Sequence, residues 1–119
     1  NYLACKKNRS SSNFFVCSAC VSFDYSEKFV RLHYANLMTA AENVFSDIDD
    51  PKKHADSGKK FNQCDVSTEV FSKARTMTSI LDEAMAPLKI DLLSLDVEGA
   101  EIEVLRGINH DRYRFEYII

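Results

Sequence analysis

Two carboxylates, Asp96 and Glu98, stand two residues apart in the stretch 90–101, which reads IDLLSLDVEGAE. A carboxylate within hydrogen-bond reach of a hydroxyl group can act as a general base and take its proton. Free carboxyl groups have a pKa of about 4, so such a base benefits from burial or from a like-charged neighbour. The spacing of Asp96 and Glu98 offers that coupling. An alternative for the same pair, with Glu101 as a third ligand, is to hold a hard divalent cation that binds the hydroxyl group.

The residues on either side predict how the chain positions this acidic cluster. Ile90 to Leu95 is a short apolar run, typical of a parallel strand that is buried on both faces. Residues 100–106 favour a short helix that ends at Gly107, and Gly99 permits a tight turn between strand and helix. Ligands of open α/β sheets bind at the carboxyl ends of the strands. The sequence therefore predicts that the chemistry takes place at this acidic cluster.

Structural roles compete for the same carboxylates. Glu101 falls in the first turn of the predicted helix, where a negative charge offsets the helix dipole, and this role is the simpler interpretation. Glu103 is expected to face solvent. Asp96 has a stronger claim to catalysis than to capping, while Glu98 stays open between contact with an acceptor and a structural hydrogen bond.

The segment 95–101, LDVEGAE, followed by VLRG at 104–107, resembles the Asp-Val-Glu-Gly-x-Glu signature of FkbM-type methyltransferases. The resemblance extends upstream to RTMTSILDE at 75–83, downstream to RFEYII at 114–119 and, in the expected order, to residues 3–22. Enzymes of this family transfer a methyl group from S-adenosylmethionine to a hydroxyl group. The resemblance therefore implies a Rossmann-like class I methyltransferase fold, S-adenosylmethionine as cofactor, and a small-molecule or glycan acceptor such as a sugar or a lipid.

Residues 14–23 are apolar and β-prone, which predicts a second strand of the same parallel sheet. Its carboxyl end, at Val21 and Ser22, is then expected beside the carboxyl end of the strand that precedes Asp96. The resemblance implies that the adenine of the cofactor rests on Val21 and Ser22. An ordinary strand-end role for Ser22 is an equal alternative.

Glycine is scarce, with only Gly58, Gly99 and Gly107 in the chain. A nucleotide-binding α/β domain normally has a Gly-rich first turn, because bare backbone approaches the ligand closely there. The sequence therefore predicts an incomplete α/β fold that lacks the N-terminal Gly-rich strand-turn-helix. On this interpretation residues 1–119 are the C-terminal portion of a single methyltransferase domain, inactive in isolation.

Two other classes of function stay open at this point. A non-catalytic binding or interaction module that keeps the fold explains the missing turn equally well. Another nucleotide-dependent α/β enzyme, using the acidic cluster for a metal, is the third class.

Composition bears on the expected partners, membrane association and cellular location. The formal net charge is −3 and no basic stripe occurs, so nucleic acid is not an expected partner. No apolar run reaches about 18 residues, so no transmembrane segment is expected. Cys17 and Cys20 have the Cys-x-x-Cys spacing of zinc or redox sites, but no second ligand pair follows and reduced structural cysteines are the simpler interpretation. Reduced thiols favour a cytoplasmic location, and the sequence indicates no oligomeric state.

Overall fold

The computed structural model of the chain describes residues 2–34, 39–42, 44, 50, 53, 57 and 68–119, which form a mixed α/β structure. The helices bounded within these residues are α1 (Tyr2–Asn8), α2 (Met77–Glu83) and α3 (Glu101–Arg106). The strands are β1 (Ala19–Cys20), β2 (Phe29–Tyr34), β3 (Ala40–Ala41), β4 (Thr68–Arg75), β5 (Lys89–Leu93) and β6 (Arg114–Ile118). None of the helices in this part of the chain has the length and apolar character that a membrane span requires.

The first sheet has four strands in the order β1-β4-β2-β3. Strand β2 is antiparallel to both β4 and β3, with Val30 opposite Ser72 and Leu32 opposite Ala41, whereas β1 is parallel to β4. Successive side chains of a strand point to opposite faces of the sheet. At the start of β2, Val30 is accordingly fully buried, whereas Phe29 and Arg31 are exposed.

The second sheet consists of β5 and β6, which run parallel with Ile90 opposite Phe115 and Leu92 opposite Tyr117. The predicted strand at Ile90–Leu95 is therefore confirmed to within two residues at each end. The prediction that it is buried on both faces is wrong for the described residues, because Leu92 is 50% exposed and β5 pairs with β6 alone. A hydrophobic core lies against this pair. Its buried members are Leu93, Ile108 and Tyr113, and its half-buried members include Met77, Leu81 and Leu105 from the two adjacent helices.

The prediction that residues 14–21 form a strand beside β5 is wrong. Only Ala19 and Cys20 pair as a strand, and they pair with Ala74 and Arg75 in the four-stranded sheet rather than with β5. Composition could not reveal this, because β-propensity indicates that a segment can extend but not which strand it pairs with.

Gly107, where α3 ends, lies in close contact with a distant segment of the chain. A Cβ atom at this position would lie 2.2 Å from the carbonyl oxygen of Val21, so no side chain fits. The carbonyl oxygen of Gly107 also accepts hydrogen bonds from the backbone N–H and the hydroxyl of Thr78, both at 3.0 Å. Gly107 therefore joins the chain beyond β1, the start of α2 and the end of α3.

The sequence predicts that Thr78 or Ser79 caps helix α2, with Asp82 and Glu83 in its first turn. That prediction is wrong, because Thr76 is the N-cap and its hydroxyl oxygen accepts a hydrogen bond from the Ser79 N–H at 3.2 Å. Asp82 consequently falls in the last turn rather than the first. There its carboxylate accepts the Tyr113 hydroxyl at 2.6 Å and ties the helix to β6.

Helix α2 ends in a Schellman motif with an unusual residue at its left-handed position. The N–H of Met85 donates to the carbonyl of Asp82, and the N–H of Ala86 donates to the carbonyl of Leu81. Met85 has φ 50°, where glycine is the usual residue. Its side chain is 89% exposed, so it gains little packing in return for the backbone strain.

We expect Met85→Gly to raise the free energy of unfolding by about 1 kcal/mol, because a left-handed conformation costs a side-chain-bearing residue about 1–2 kcal/mol. Urea denaturation measures the change. Met85→Ala is the matched control, since it removes the same exposed side chain but retains the Cβ atom that causes the strain. Equal stability of the glycine and alanine variants would show that Met85 is not strained.

Candidate active site

A pocket of about 260 Å³ lies between the four-stranded sheet and α3, and we call it the α3 pocket. The wall from the sheet side consists of Ser18, Ala19, Cys20, Leu32, Thr39 and Ala41. The opposite wall consists of Asp96, Val97, Ala100 and Val104. Most of these side chains are small and apolar, so the pocket is an apolar slot with one carboxylate in its lining.

Asp96 reaches this pocket because the strand pairing ends just before it. The ladder continues past the formal end of β5, since the Ile119 N–H donates to the Leu93 carbonyl and the Leu95 N–H donates to the Ile119 carbonyl. Asp96 is the first residue beyond the last of these bonds, and its side chain is exposed. The predicted location at the carboxyl end of a parallel strand is confirmed, while its catalytic role stays a prediction.

The turn after Asp96 uses two consecutive residues with positive φ. Gly99 has φ 90°, which confirms that glycine permits this turn, and Glu98 has φ 50°. A non-glycine residue in this region carries a strain of about 1–2 kcal/mol, and such strain often accompanies function. Glu98 is not among the residues that line the α3 pocket. The structure thus brings Asp96 to the pocket without Glu98, and catalysis by Glu98 stays a prediction.

Glu101 stabilises this turn through its side chain. One carboxylate oxygen accepts the N–H groups of Val97 at 3.2 Å and of Gly99 at 3.4 Å. Backbone hydrogen bonds, first from the N–H of Glu101 itself and then from these two, lower the pKa of the Glu101 carboxyl against the opposing effect of burial. The stability that these bonds supply is present above the ordinary carboxyl pKa and is lost as the pH falls through the lowered value.

Glu103 does not face solvent, and that prediction is wrong. The residue is 4% exposed, and its carboxylate accepts the backbone N–H of Ser22 at 3.0 Å. Residues three and four apart share a face of a helix, and Glu103 shares one with Ala100 and Gly107, which are both buried. This spacing is the signal in the sequence that indicates burial of Glu103.

Val21 and Ser22, the residues predicted to contact the cofactor, are both buried, and neither lines the α3 pocket. The Val21 N–H donates to the Arg75 carbonyl at 3.0 Å, and the Ser22 N–H donates to Glu103. The pocket is lined instead by the three residues before them, 18–20. Alternation along an extended segment does not distinguish these positions, so the sequence missed them. Contact of Val21 and Ser22 with a cofactor stays a prediction.

Cys20 is the one thiol that lines the α3 pocket among the described residues. Burial raises the pKa of the Cys20 thiol, and the nearby Arg75 guanidinium opposes this shift. Cys5, Cys17 and Cys20 are free thiols. The described part of the chain contains no group of three or more His, Cys, Asp or Glu side chains arranged to hold a metal ion.

Comparisons with known proteins identify the family through its domain model. Comparisons with curated proteins and with solved structures each found no match. The family model described as Methyltransferase FkbM domain matches residues 4–119, which is nearly the whole chain. The matched region includes both walls of the α3 pocket and the acidic turn, and it confirms the family that the signature predicts. The chain therefore belongs to the FkbM methyltransferase family.

Proposed function

We propose that the chain is the C-terminal part of an S-adenosylmethionine-dependent O-methyltransferase, in which Asp96 takes the proton of the acceptor hydroxyl. The observation that carries this proposal is the position of Asp96, which lines a pocket at the carboxyl end of the parallel strand β5. Ligands of open α/β sheets bind at this end of the strands. The family match supports methyl transfer as the reaction.

The α3 pocket is suited to part of the cofactor. Its walls carry small apolar side chains, including Ala19, Ala41 and Ala100, which leave a slot for a flat ring such as adenine. Ligand pockets commonly measure about 300–1,000 Å³, so a pocket of about 260 Å³ is too small for a whole cofactor. We propose that residues 18–22 form the side of the α3 pocket that binds adenine. Val21 and Ser22 would contribute by holding the backbone of residues 18–20 in place. When bound, S-adenosylmethionine supplies an electrophilic methyl carbon.

In the proposed mechanism, Asp96 and Glu101 have different functions in the turn. Asp96 is exposed, so an acceptor hydroxyl can approach its carboxylate from solvent within hydrogen-bond reach. As the hydroxyl oxygen attacks, its O–H bond breaks and the proton passes to a carboxylate oxygen of Asp96. Glu101 holds the turn that aims Asp96, because it binds two backbone N–H groups of that turn. From the family match, we propose a hydroxyl on a small molecule or glycan as the acceptor.

We also propose that the fold is Rossmann-like and that residues 1–119 form the C-terminal portion of one domain. In the doubly wound fold, the first and second strands lie between the third and the fourth. If β1 and β5 take the third and fourth places, their separation into two sheets follows from that order. Parallel sheets are normally covered on both faces. Leu92 and Tyr117, which share a face of the β5–β6 pair, are nevertheless 50% and 62% exposed. Both observations support further strands and helices in the complete domain.

We expect Asp96→Asn in the intact protein to lower the turnover number by about 10²–10⁴-fold, because an amide cannot accept the hydroxyl proton. That loss corresponds to roughly 3–5 kcal/mol of activation free energy. The substitution is nearly isosteric and the side chain is exposed, so the thermal midpoint is expected to change little. Turnover and thermal unfolding are measured on the same preparation.

Glu98→Gln is the matched control in the same turn. Because Glu98 does not line the pocket, we expect its turnover number to stay within about tenfold of the wild type. Loss of turnover in Glu98→Gln with retention in Asp96→Asn would transfer the role of base to Glu98. Retention of turnover in both variants would show that the acidic cluster is structural and that the assignment of the base to Asp96 is wrong.

We expect residues 1–119 alone to bind S-adenosylmethionine more weakly than a micromolar dissociation constant, which corresponds to about −8 kcal/mol. The reason is that the α3 pocket accommodates only part of the cofactor. Isothermal titration calorimetry of this chain and of the full-length protein provides the measurement. Micromolar binding by residues 1–119 would contradict the proposal that the domain extends beyond them.

A further inference from the structure

Glu103 carries a buried carboxylate that no catalytic step in the proposed function uses. It lies on α3, and it accepts a hydrogen bond from the N–H of Ser22, which is 81 positions away in the sequence. Ser22 itself is buried. This single side chain therefore links the helix on one side of the α3 pocket to the segment on the other side.

The burial of this carboxylate requires an explanation, because an ionised group loses favourable hydration when it leaves water. The Ser22 N–H lies beyond the end of β1 and is the backbone donor that Glu103 satisfies. If the Ser22 N–H and the Glu103 carboxylate moved apart, each would lose this buried hydrogen bond. That loss is unfavourable, so the two groups are expected to stay together. The hydrogen bond is thus a constraint on distance between the two segments.

The Glu103 carboxylate also acts electrostatically on Tyr25. The pKa of Tyr25 is raised, first by burial and then by the negative charges of Glu27 and Glu103. The Tyr25 hydroxyl donates to the Phe29 carbonyl at 2.9 Å, which fixes the ring near the start of β2.

The constrained segments are the two walls of the pocket. Ala100, the N-cap of α3, and Val104, the residue after Glu103, both line it. Cys20, two residues before Ser22, lines the opposite wall. A change in the distance between Ser22 and Glu103 therefore changes the separation of these walls.

We propose that Glu103 is a positioning residue that holds the carboxyl end of β1 against α3 and thereby sets the width of the α3 pocket. The consequence for cofactor binding rests on the proposed function, whereas the consequence for pocket width does not. Glu103 touches neither substrate nor cofactor in this role.

Hydrogen exchange and thiol labelling in the full-length protein test the constraint without any ligand. We expect Glu103→Ala to speed exchange of the Ser22 amide by about tenfold or more, because that amide loses its hydrogen-bond acceptor. Iodoacetamide labelling of Cys20, resolved by mass spectrometry at mildly alkaline pH, is expected to accelerate as the walls separate. Cys17 is exposed and serves as the internal reference for the labelling rate.

Two further variants separate positioning from stability. Glu103→Gln retains a side-chain oxygen that can accept the Ser22 N–H, so we expect exchange and labelling close to those of the wild type. Tyr113→Phe removes another hydrogen bond to a carboxylate, the part-buried one to Asp82, at a place outside the pocket lining. It is expected to lower the thermal midpoint by a few degrees while leaving the relative labelling of Cys20 unchanged.

The constraint is overturned if Glu103→Ala labels Cys20 no faster, relative to Cys17, than Tyr113→Phe does. It is also overturned if Glu103→Gln behaves like Glu103→Ala, since the effect would then depend on charge rather than on position. In the cofactor assay, we expect Glu103→Ala to weaken S-adenosylmethionine binding more than Tyr113→Phe does. Absence of binding by the wild-type full-length protein overturns the proposed function alone, because the labelling result stands independently.

Discussion

The structure depends on the contact between Gly107 and the carbonyl group of Val21. Because a Cβ atom would lie 2.2 Å from that oxygen, any other residue would force the end of α3 away from the segment that follows β1. The same glycine accepts two hydrogen bonds from Thr78, so the starts and ends of three segments are fixed at one point. Close packing of this kind transmits small displacements, since protein interiors have few voids to absorb them. The contact between Val21 and Gly107 therefore helps to fix the shape of the α3 pocket, whose lining includes Cys20 and Val104.

Three of the four carboxylates at 96–103 have clearly different environments, and these environments favour different roles. Asp96 is exposed at the pocket and remains available to an acceptor, whereas Glu101 is bound to the backbone of the turn. Glu103 is buried and bound to a distant segment. Environment rather than residue type sets what a carboxyl group does in a protein. In this chain, Asp96 is therefore the one acidic residue of the signature 96–101 that lines the α3 pocket.

The sequence predicted local features well and long-range features poorly. Strand β5, helix α3 and the turn at Gly99 follow from an apolar run, helical spacing and glycine, which all act within a few residues. The pairing of β1 with β4 and the burial of Glu103 depend on segments that are far apart in the chain. The position of Asp96 at a strand end was predictable for the same local reason. The lining of the opposite wall was not, since alternation alone does not identify which residues face a pocket.

The hydrogen bond between Ser22 and Glu103 also has a consequence for the order of folding. Its partners are 81 positions apart, and closing a flexible loop of that length costs roughly 4 kcal/mol of chain entropy. The pairing of β5 with β6 and the ending of α2 close much shorter loops, which form with less entropic cost. The α3 pocket is therefore expected to form after these units. Mutations that remove the hydrogen bond between Ser22 and Glu103 should then mainly accelerate unfolding and leave the early steps of folding unchanged.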